Sequence, residues 1–130
     1  MIKSQNSSVK RERRKSLFFR EITSIVQELS SQEPAVANLF VSKIDISPNS
    51  GICYIYMSSF KEPGQEFFDQ ALLVLKLYKP SIRKAFAQRV QTRYAPDLVF
   101  VYDKGKEKER RITQLLDKVQ NELNDDESSD

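Results

Sequence analysis

Apolar residues recur with two different periods along this chain of 130 residues, and the order of the periods limits the architectures open to it. The first segment, about residues 14–30, has apolar residues three or four apart, which is typical of one face of an α-helix. Gln32-Glu33-Pro34 ends it, because the residue before a proline is biased away from helical geometry. The stripe consists of Phe18, Ile22, Ile25, Val26 and Leu29.

Two runs rich in β-branched and aromatic residues follow, at residues 38–47 and 51–60. The turn-forming stretch Ser47-Pro48-Asn49-Ser50-Gly51 joins them, so the pair predicts a β-hairpin. Simple alternation places Phe40, Ile44 and Ile46 on one face of the first strand.

Helical periodicity returns at about residues 65–79, where apolar residues cover most of the helical wheel and indicate burial on more than one side. Pro80 lacks an N–H and clashes with the preceding turn, yet Ile82, Phe86 and Val90 resume the pattern up to about Gln91. We therefore expect two short helices joined at a sharp bend. A third strand at residues 99–102 and an amphipathic helix over about 106–123 complete the order α-β-β-α-α-β-α.

This order predicts an α+β fold with helices layered on a small sheet. We expect a basic flexible arm at residues 1–13, one domain at residues 14–123 and an acidic disordered tail at residues 124–130. The C-terminal helix is expected to pack back on its own sheet, because its apolar stripe spans only two heptads, which is short for a stable coiled coil.

Positive charge is concentrated in two blocks. Residues 1–20 carry seven Lys or Arg against Glu12, and residues 76–93 carry six against no acid, although the net charge of the whole chain is only +3. Such blocks can neutralise several phosphates and bind nucleic acid by counterion release. Solvated surface is the alternative reading, and for two blocks in so small a chain we weigh the two evenly.

Composition argues against most enzyme classes. The chain has no His, one Cys and three Gly, so it cannot build a His-based triad, a Cys-rich metal site or a glycine-rich phosphate loop. Cys53 alternates within a strand and is expected to be buried and inert. We expect no enzymatic activity, no cofactor, no metal and no small-molecule substrate. No apolar window approaches the ~18 residues of a membrane helix, so we expect no membrane partner.

The core order αββααβ is that of a KH domain of the type with an N-terminal helix. KH domains clamp nucleic acid with a GXXG loop between two helices. No GXXG motif exists here, and the interrupted helix at Tyr78-Lys79-Pro80 occupies the corresponding place. The sequence thus predicts a KH-like fold with an interrupted helix pair, followed by a C-terminal helix.

At residues 12–116 the chain resembles the bacterial ribosome-binding factor A family. The family pattern of an Ile-Arg pair, apolar turns, an Arg, a Pro-Glu-Leu, an apolar strand and an Asp falls on Ile82, Arg83, Phe86, Val90, Arg93, Pro96, Leu98, Phe100 and Asp103. Asp97 stands where Glu is usual, and Tyr78-Lys79-Pro80 replaces the family's Ala-x-Gly bend.

The resemblance implies a partner and a role. The partner is the free small (30S) ribosomal subunit with its 16S rRNA, and the role is assistance in late maturation and rRNA processing. It further implies an assembly factor that matters most in the cold and acts in the bacterial cytoplasm. We also expect a monomer. Two other readings stay open: a KH-like RNA-binding module unconnected with ribosomes, and a protein-interaction or dimerisation domain that uses the C-terminal helix.

Candidate RNA-binding residues come from the two basic blocks. They are Lys76, Lys79, Arg83, Lys84, Arg89 and Arg93 in the second, and Lys10, Arg11, Arg13 and Arg14 in the first. Arg89 lies near the apolar face and has local pairing as its alternative, and for Arg93 a structural role is equally expected. The hypothesis fails if these cations lie on different sides of the molecule or are mostly paired with carboxylates.

Overall fold

The computed structural model describes residues 2–92 and 95–128 of the protein, and the side chains of residues 8–92 and 95–124. It contains four helices and three strands within those residues. They are α1 (Ile2–Ser30), α2 (Pro34–Ala37), β1 (Leu39–Ile46), β2 (Ile52–Ser59), α3 (Gly64–Val90), β3 (Asp97–Tyr102) and α4 (Lys104–Ser128).

The three strands form one sheet in the order β1-β2-β3. β1 and β2 pair antiparallel across the predicted turn, while β3 pairs parallel to β2. A parallel neighbour needs a long crossover, and α3 supplies it. Helices α1 and α3 contact each other and the sheet, which confirms the predicted layered α+β arrangement.

The alternation of buried and exposed side chains along β1 is interrupted at a point that the sequence does not reveal. The β1–β2 register shifts between Val41 and Lys43, so one extra residue enters the strand as a β-bulge. Val41 and Ile44 are therefore both buried, and Phe40 lies half-exposed beside Phe60 with ring centroids 4.7 Å apart. The expectation that Phe40 shares the buried face of Ile44 and Ile46 is wrong.

The core lies between the sheet and the paired helices α1 and α3. All five residues of the predicted α1 stripe are buried, as the helical period indicated. Phe18 of α1 meets Phe86 of α3 edge to face, with ring centroids 4.8 Å apart. The two helices are thereby held side by side over Ile55, Met57 and Leu98 of the sheet.

The predicted helix pair is a single helix, α3, with Pro80 inside it. The missing N–H of Pro80 removes one intrahelical hydrogen bond, but Leu75 and Ile82 are buried on either side and hold both halves on the same core. The expected break is therefore wrong. Burial on more than one side is also wrong, because Leu73 and Leu77 are 71% and 80% exposed.

Helix α1 extends through the segment expected to be a flexible arm. Arg11 Nη2 donates to the backbone oxygen of Ile46 at 2.7 Å, and Arg14 Nη1 donates to Ser50 Oγ at 3.1 Å. These contacts with the hairpin hold the first half of α1 as a continuous helix, so residues 2–13 are helical. At the other terminus, α4 includes residues 124–128 of the expected tail, and residues 129–130 lie outside the described residues.

Asp103 fixes the beginning of α4. Its Oδ1 accepts the backbone N–H of Lys106 at 2.8 Å, and its Oδ2 accepts the Ser42 hydroxyl at 2.6 Å. Beyond Arg110, which donates to the backbone oxygen of Ser59 at 2.9 Å, the helix leaves the body of the protein. Every residue from Arg111 to Asn124 is exposed, so the expected packing of α4 on its own sheet is wrong.

Candidate nucleic-acid interface

The first half of α1 presents the cations of the first basic block along the hairpin. Lys10 and Arg13 are exposed and have no ion pair or hydrogen bond within the described residues. Three positions apart on a helix, they lie on neighbouring turns of one side. Arg11 and Arg14 use one donor group each on the hairpin, and no carboxylate among the described side chains compensates their charge. We call these four residues the α1 cationic face.

A second cationic surface lies on the solvent side of α3. Lys76 and Lys84 are exposed and, in the part of the chain with described side chains, neither pairs with an acid. Eight residues apart, they are separated by about 12 Å along the helix axis. Leu73 and Leu77 point to the same side. This α3 outer face (Leu73, Lys76, Leu77, Lys84) therefore combines two free ammonium groups with two exposed apolar side chains.

Lys79 and Arg83 hold the connection that leads into β3. Lys79 Nζ lies 2.9 Å from Asp97 Oδ1, and Arg83 Nη2 donates to the backbone oxygen of Ala95 at 3.3 Å. The hydrogen bond from Lys79 holds the pKa of the Asp97 carboxyl below its usual value. Arg83 Nε is buried and has no hydrogen-bond partner among the described residues. Both residues position the start of β3, and only part of each side chain remains open to solvent.

Arg89 faces α1. Its guanidinium lies 2.8 Å from Glu28 Oε1 and 3.8 Å from Glu21 Oε2, and it donates to Ser24 Oγ at 2.9 Å. These contacts clamp α3 to α1, which is the local-pairing alternative for this residue. Arg93 lies outside the described residues.

The candidate cations are thus divided between two surfaces. Of the nine with described side chains, only Lys79 and Arg89 are paired with carboxylates, so most of the positive charge is free. The hypothesis of a single cationic face on a bent helix pair therefore fails by the first criterion stated above, although not by the second, and the α1 cationic face and the α3 outer face take its place.

A groove joins α1 to the end of α3. It has a volume of about 350 Å³ and is lined by Arg13, Arg14, Leu17, Ser50, Val90 and Pro96, among others. The α1 cationic face consequently borders a concave surface, with the hairpin turn as one wall. Ser50 adopts the left-handed region, with φ of 58°, and this turn places its hydroxyl against Arg14.

Two further features were not singled out from sequence: one lies beside the α1 cationic face, and the other lies at the opposite end of β3, outside both cationic surfaces. The hairpin turn anchors α1 through contacts more than thirty residues apart in sequence, which no local pattern could have indicated. Lys104, Lys106 and Lys108 form an exposed cationic start to α4. Their signal was the excess of five bases over two acids at residues 104–111.

The described residues give little support for a reactive cysteine, a metal site or a membrane-spanning helix. Cys53 is buried as predicted, and this burial raises the pKa of its thiol to about 12, with the nearby Asp45 charge adding to the shift, which disfavours the reactive thiolate. The hydroxyl of Tyr78 donates to Glu33 Oε1 at 2.7 Å, which raises its pKa. Within the described residues no three potential metal ligands cluster together, and no helix there is long and apolar enough to cross a membrane.

Comparison with known proteins decides the family. The family model described as "Ribosome-binding factor A" matches residues 10–116, which is most of the chain. The chain belongs to the ribosome-binding factor A family. Ribosome-binding factor A of Syntrophomonas wolfei is 30% identical over 118 residues, covering 88% of this chain and 94% of that protein. Its counterpart from Nitrosococcus oceani is 31% identical over 112 residues, covering 86% of each.

Solved structures of ribosome-binding factor A share the fold. The crystal structure of the Thermus thermophilus protein superposes with a TM-score of 0.61 at 23% identity, covering 71% of this chain and 93% of that chain. A Thermus thermophilus homology model fitted into a cryo-EM map of a 30S complex gives a TM-score of 0.57 at 23% identity, covering 70% and 92%. The likeness confirms the predicted KH-like fold, and the family is described as a binding factor.

Proposed function

We propose that this protein binds the free small (30S) ribosomal subunit through its 16S rRNA. We further propose that it assists late maturation and rRNA processing in the bacterial cytoplasm, with one copy acting on each subunit and with its greatest importance in the cold. The observation that carries the proposal is the family match over residues 10–116, because it spans both the α1 cationic face and the α3 outer face. The fitted 30S complex of the Thermus thermophilus protein supports the choice of partner.

Binding would rest on phosphate contacts. Lys10, Arg13, Lys76 and Lys84 have no acid to neutralise them in the described part of the chain, so each can approach a phosphate oxygen at little cost. The arginines can also make two parallel hydrogen bonds to one phosphate group. Affinity would therefore depend strongly on salt and only weakly on base sequence.

The apolar residues of the α3 outer face suggest how folded rRNA is preferred over any polyanion. Leu77 lies between the two lysines along the helix and Leu73 lies one turn before Lys76, where both would contact ribose or an unstacked base. Such contacts need a surface of matching shape, which a junction of folded rRNA offers and a flexible strand does not. We infer that the protein acts by position: it holds one arrangement of an rRNA junction and prevents premature joining of the subunits.

The proposal is tested by sedimentation of the protein with purified small subunits, large subunits and an unrelated structured RNA. Two charge-reversal variants address the two surfaces, Lys76→Glu with Lys84→Glu and Lys10→Glu with Arg13→Glu. A matched control, Lys61→Glu with Lys104→Glu, makes the same change of charge at exposed lysines outside both surfaces.

We expect co-migration with small subunits that high salt abolishes, loss of binding in both test variants and retention in the control. Equal binding to unrelated RNA would favour a KH-like module unconnected with ribosomes. Undiminished binding by both test variants would remove these surfaces from the interface.

A further inference from the structure

Another groove lies between the second half of α1 and the beginning of β1. Its volume of about 250 Å³ is below the roughly 300–1,000 Å³ of pockets for drug-sized ligands and suits a single ring system. Thr23 and Gln27 line its helix side, and Phe40 and Phe60 line its sheet side. We call it the α1–β1 groove. Its lining residues belong to neither the α1 cationic face nor the α3 outer face.

The sheet side of the groove carries two aromatic rings that lie outside the core. Phe60 is 67% exposed, and the half-exposed Phe40 packs against it with ring centroids 4.7 Å apart. Exposed phenyl rings gain from contact with another flat ring. Unpaired bases of single-stranded RNA offer such rings and stack on aromatic side chains in this way.

The helix side of the groove offers hydrogen-bonding groups that are unpaired within the described residues. The side chain of Gln27 is exposed and makes no hydrogen bond there. Thr23 Oγ1 is buried and has no partner in the described part of the chain, although the residue as a whole is part-exposed. The edge of a base would give this hydroxyl a partner after one rotation about the Cα–Cβ bond, since threonine has two common rotamers in a helix. A purely apolar ligand would leave both groups unpaired, which is costly.

A row of cationic side chains on α1 leads towards the groove. Arg13, Arg20 and Gln27 follow one another at intervals of seven residues, close to two helical turns, so they lie on one side of α1. Arg20 is 74% exposed, and its Nε lies 3.4 Å from Glu21 Oε1, a surface pair that leaves the guanidinium available. The step from Arg20 to Gln27 is about 10 Å along the axis. A strand whose phosphate contacts Arg20 can therefore place a nearby base in the groove.

An extended peptide is the other ligand to consider for a groove beside an edge strand. β1 lies at the edge of the sheet, where peptides can add as further strands. The bulge between Val41 and Lys43 interrupts this edge, and the exposed Lys43 is typical of edges protected against strand addition. The structure therefore favours a base over a peptide.

We propose that the α1–β1 groove binds one unstacked nucleobase of single-stranded RNA, with adenine preferred. The base stacks on the Phe40–Phe60 pair. The Gln27 amide, which carries both a donor and an acceptor, binds N7 and N6 of adenine. This inference rests on the proposed RNA-binding function and deepens it, because it names a base-binding site apart from the phosphate-binding surfaces.

The experiment measures binding of the full chain to labelled hexaadenylate and hexauridylate by fluorescence anisotropy at one salt concentration. Both oligonucleotides carry the same charge, so phosphate contacts alone predict equal affinity. We expect tighter binding of hexaadenylate, and Gln27→Ala should bring the two affinities closer together. Phe60→Ala should weaken hexaadenylate binding by at least about fivefold, the lower end for the loss of one stacked base. Leu116→Ala is the control, because it truncates an apolar residue of similar exposure, 64%, on α4 and should leave the affinity unchanged.

NMR of the same complex locates the base. Hexaadenylate should shift the ring signals of Phe40 and Phe60 and the side-chain amide signals of Gln27. Equal affinity for the two oligonucleotides, or undiminished binding by the Phe60→Ala chain, would overturn the inference. Ring shifts caused by a capped Thr-Val-Phe-Val-Thr peptide but not by hexaadenylate would also overturn it and assign the groove to a protein segment.

The outcome is separable from that of the proposed function, because no ribosome is present in this experiment. A negative result with retained co-migration of the protein with small subunits would contradict the base site alone. Hexaadenylate binding in the groove without such co-migration would contradict the ribosomal function alone.

Discussion

Single residues set the boundaries of elements in this protein through contacts that span the sheet. Asp103 links β1 to the beginning of α4 through Ser42 and the Lys106 N–H. Gly64 begins α3 where a side chain would overlap the hydroxyl of Tyr102. In both cases the residue type follows from a neighbour distant in sequence, Ser42 for Asp103 and Tyr102 for Gly64, which local pattern does not show.

Asp103→Ala should lower the free energy of unfolding by about 1–3 kcal/mol at neutral pH, because the α4 cap and the Ser42 hydrogen bond are lost together. Chemical denaturation measures this change. Asp97→Ala is the control: its carboxylate is half-exposed and should cost less than about 1 kcal/mol. Equal losses in the two variants would contradict the capping role of Asp103.

The pKa of Asp103 predicts that the stability of the protein depends on pH. Burial alone would raise the pKa of Asp103, but hydrogen bonds from Ser42 and the Lys106 backbone outweigh it and leave the pKa below its usual value. A depressed pKa in the folded state stabilises the protein above the unfolded pKa of about 3.9, and this stabilisation is lost as the pH falls through the folded value. The stability difference between parent and Asp103→Ala should therefore decline below about pH 4. A constant difference down to pH 2 would be inconsistent with this coupling.

At the scale of elements, sequence periodicity predicted the buried faces of helices and strands more accurately than their boundaries. The α1 stripe, the hairpin and β3 were predicted because burial imposes a 3.6- or 2-residue period on the sequence itself. Periodicity did not predict three other features, because each depends on tertiary contacts: the β1 bulge, the continuity of α3 through Pro80 and the helical start of α1. Likewise, sequence selected the cations of both candidate surfaces, but it gave pairing of Arg89 only as an alternative and did not indicate the pairing of Lys79 with Asp97.

The contacts of Arg89 between α3 and α1 lead to a prediction that distinguishes a structural role from an RNA-binding role. Arg89→Ala should lower the free energy of unfolding by about 1–2 kcal/mol, since it removes the contacts with Glu28 and Ser24. The affinity of the folded protein for small subunits should be unchanged. Lys84→Ala should do the opposite, with stability within about 0.5 kcal/mol of the parent and weaker binding. If Arg89→Ala instead weakened binding without loss of stability, Arg89 would belong to the RNA interface.

The whole molecule separates its charges by region. Cations free of carboxylates lie on the first half of α1 and on the outer side of α3, whereas α4 ends in acidic turns. An acidic helix end is repelled by rRNA, so α4 is expected to point away from the bound subunit.

Electrostatic binding predicts a measurable change in salt dependence. Replacing Lys76 and Lys84 with alanine removes two phosphate contacts, so the slope of log affinity against log salt should become shallower by about 1.4–1.8. Titration of small subunits with labelled protein at several salt concentrations gives this slope. Alanine at Lys61 and Lys104 should leave it as in the parent, and a parent-like slope in the Lys76 and Lys84 variant would show that these lysines do not meet phosphates.

The most direct test of the central claim is a cryo-EM map of this protein bound to an immature small subunit. We predict rRNA phosphates within hydrogen-bonding distance of the α1 cationic face and the α3 outer face, with the second half of α4 directed away from the rRNA. A map in which Lys10, Arg13, Lys76 and Lys84 face solvent, while another surface contacts the subunit, would contradict the account.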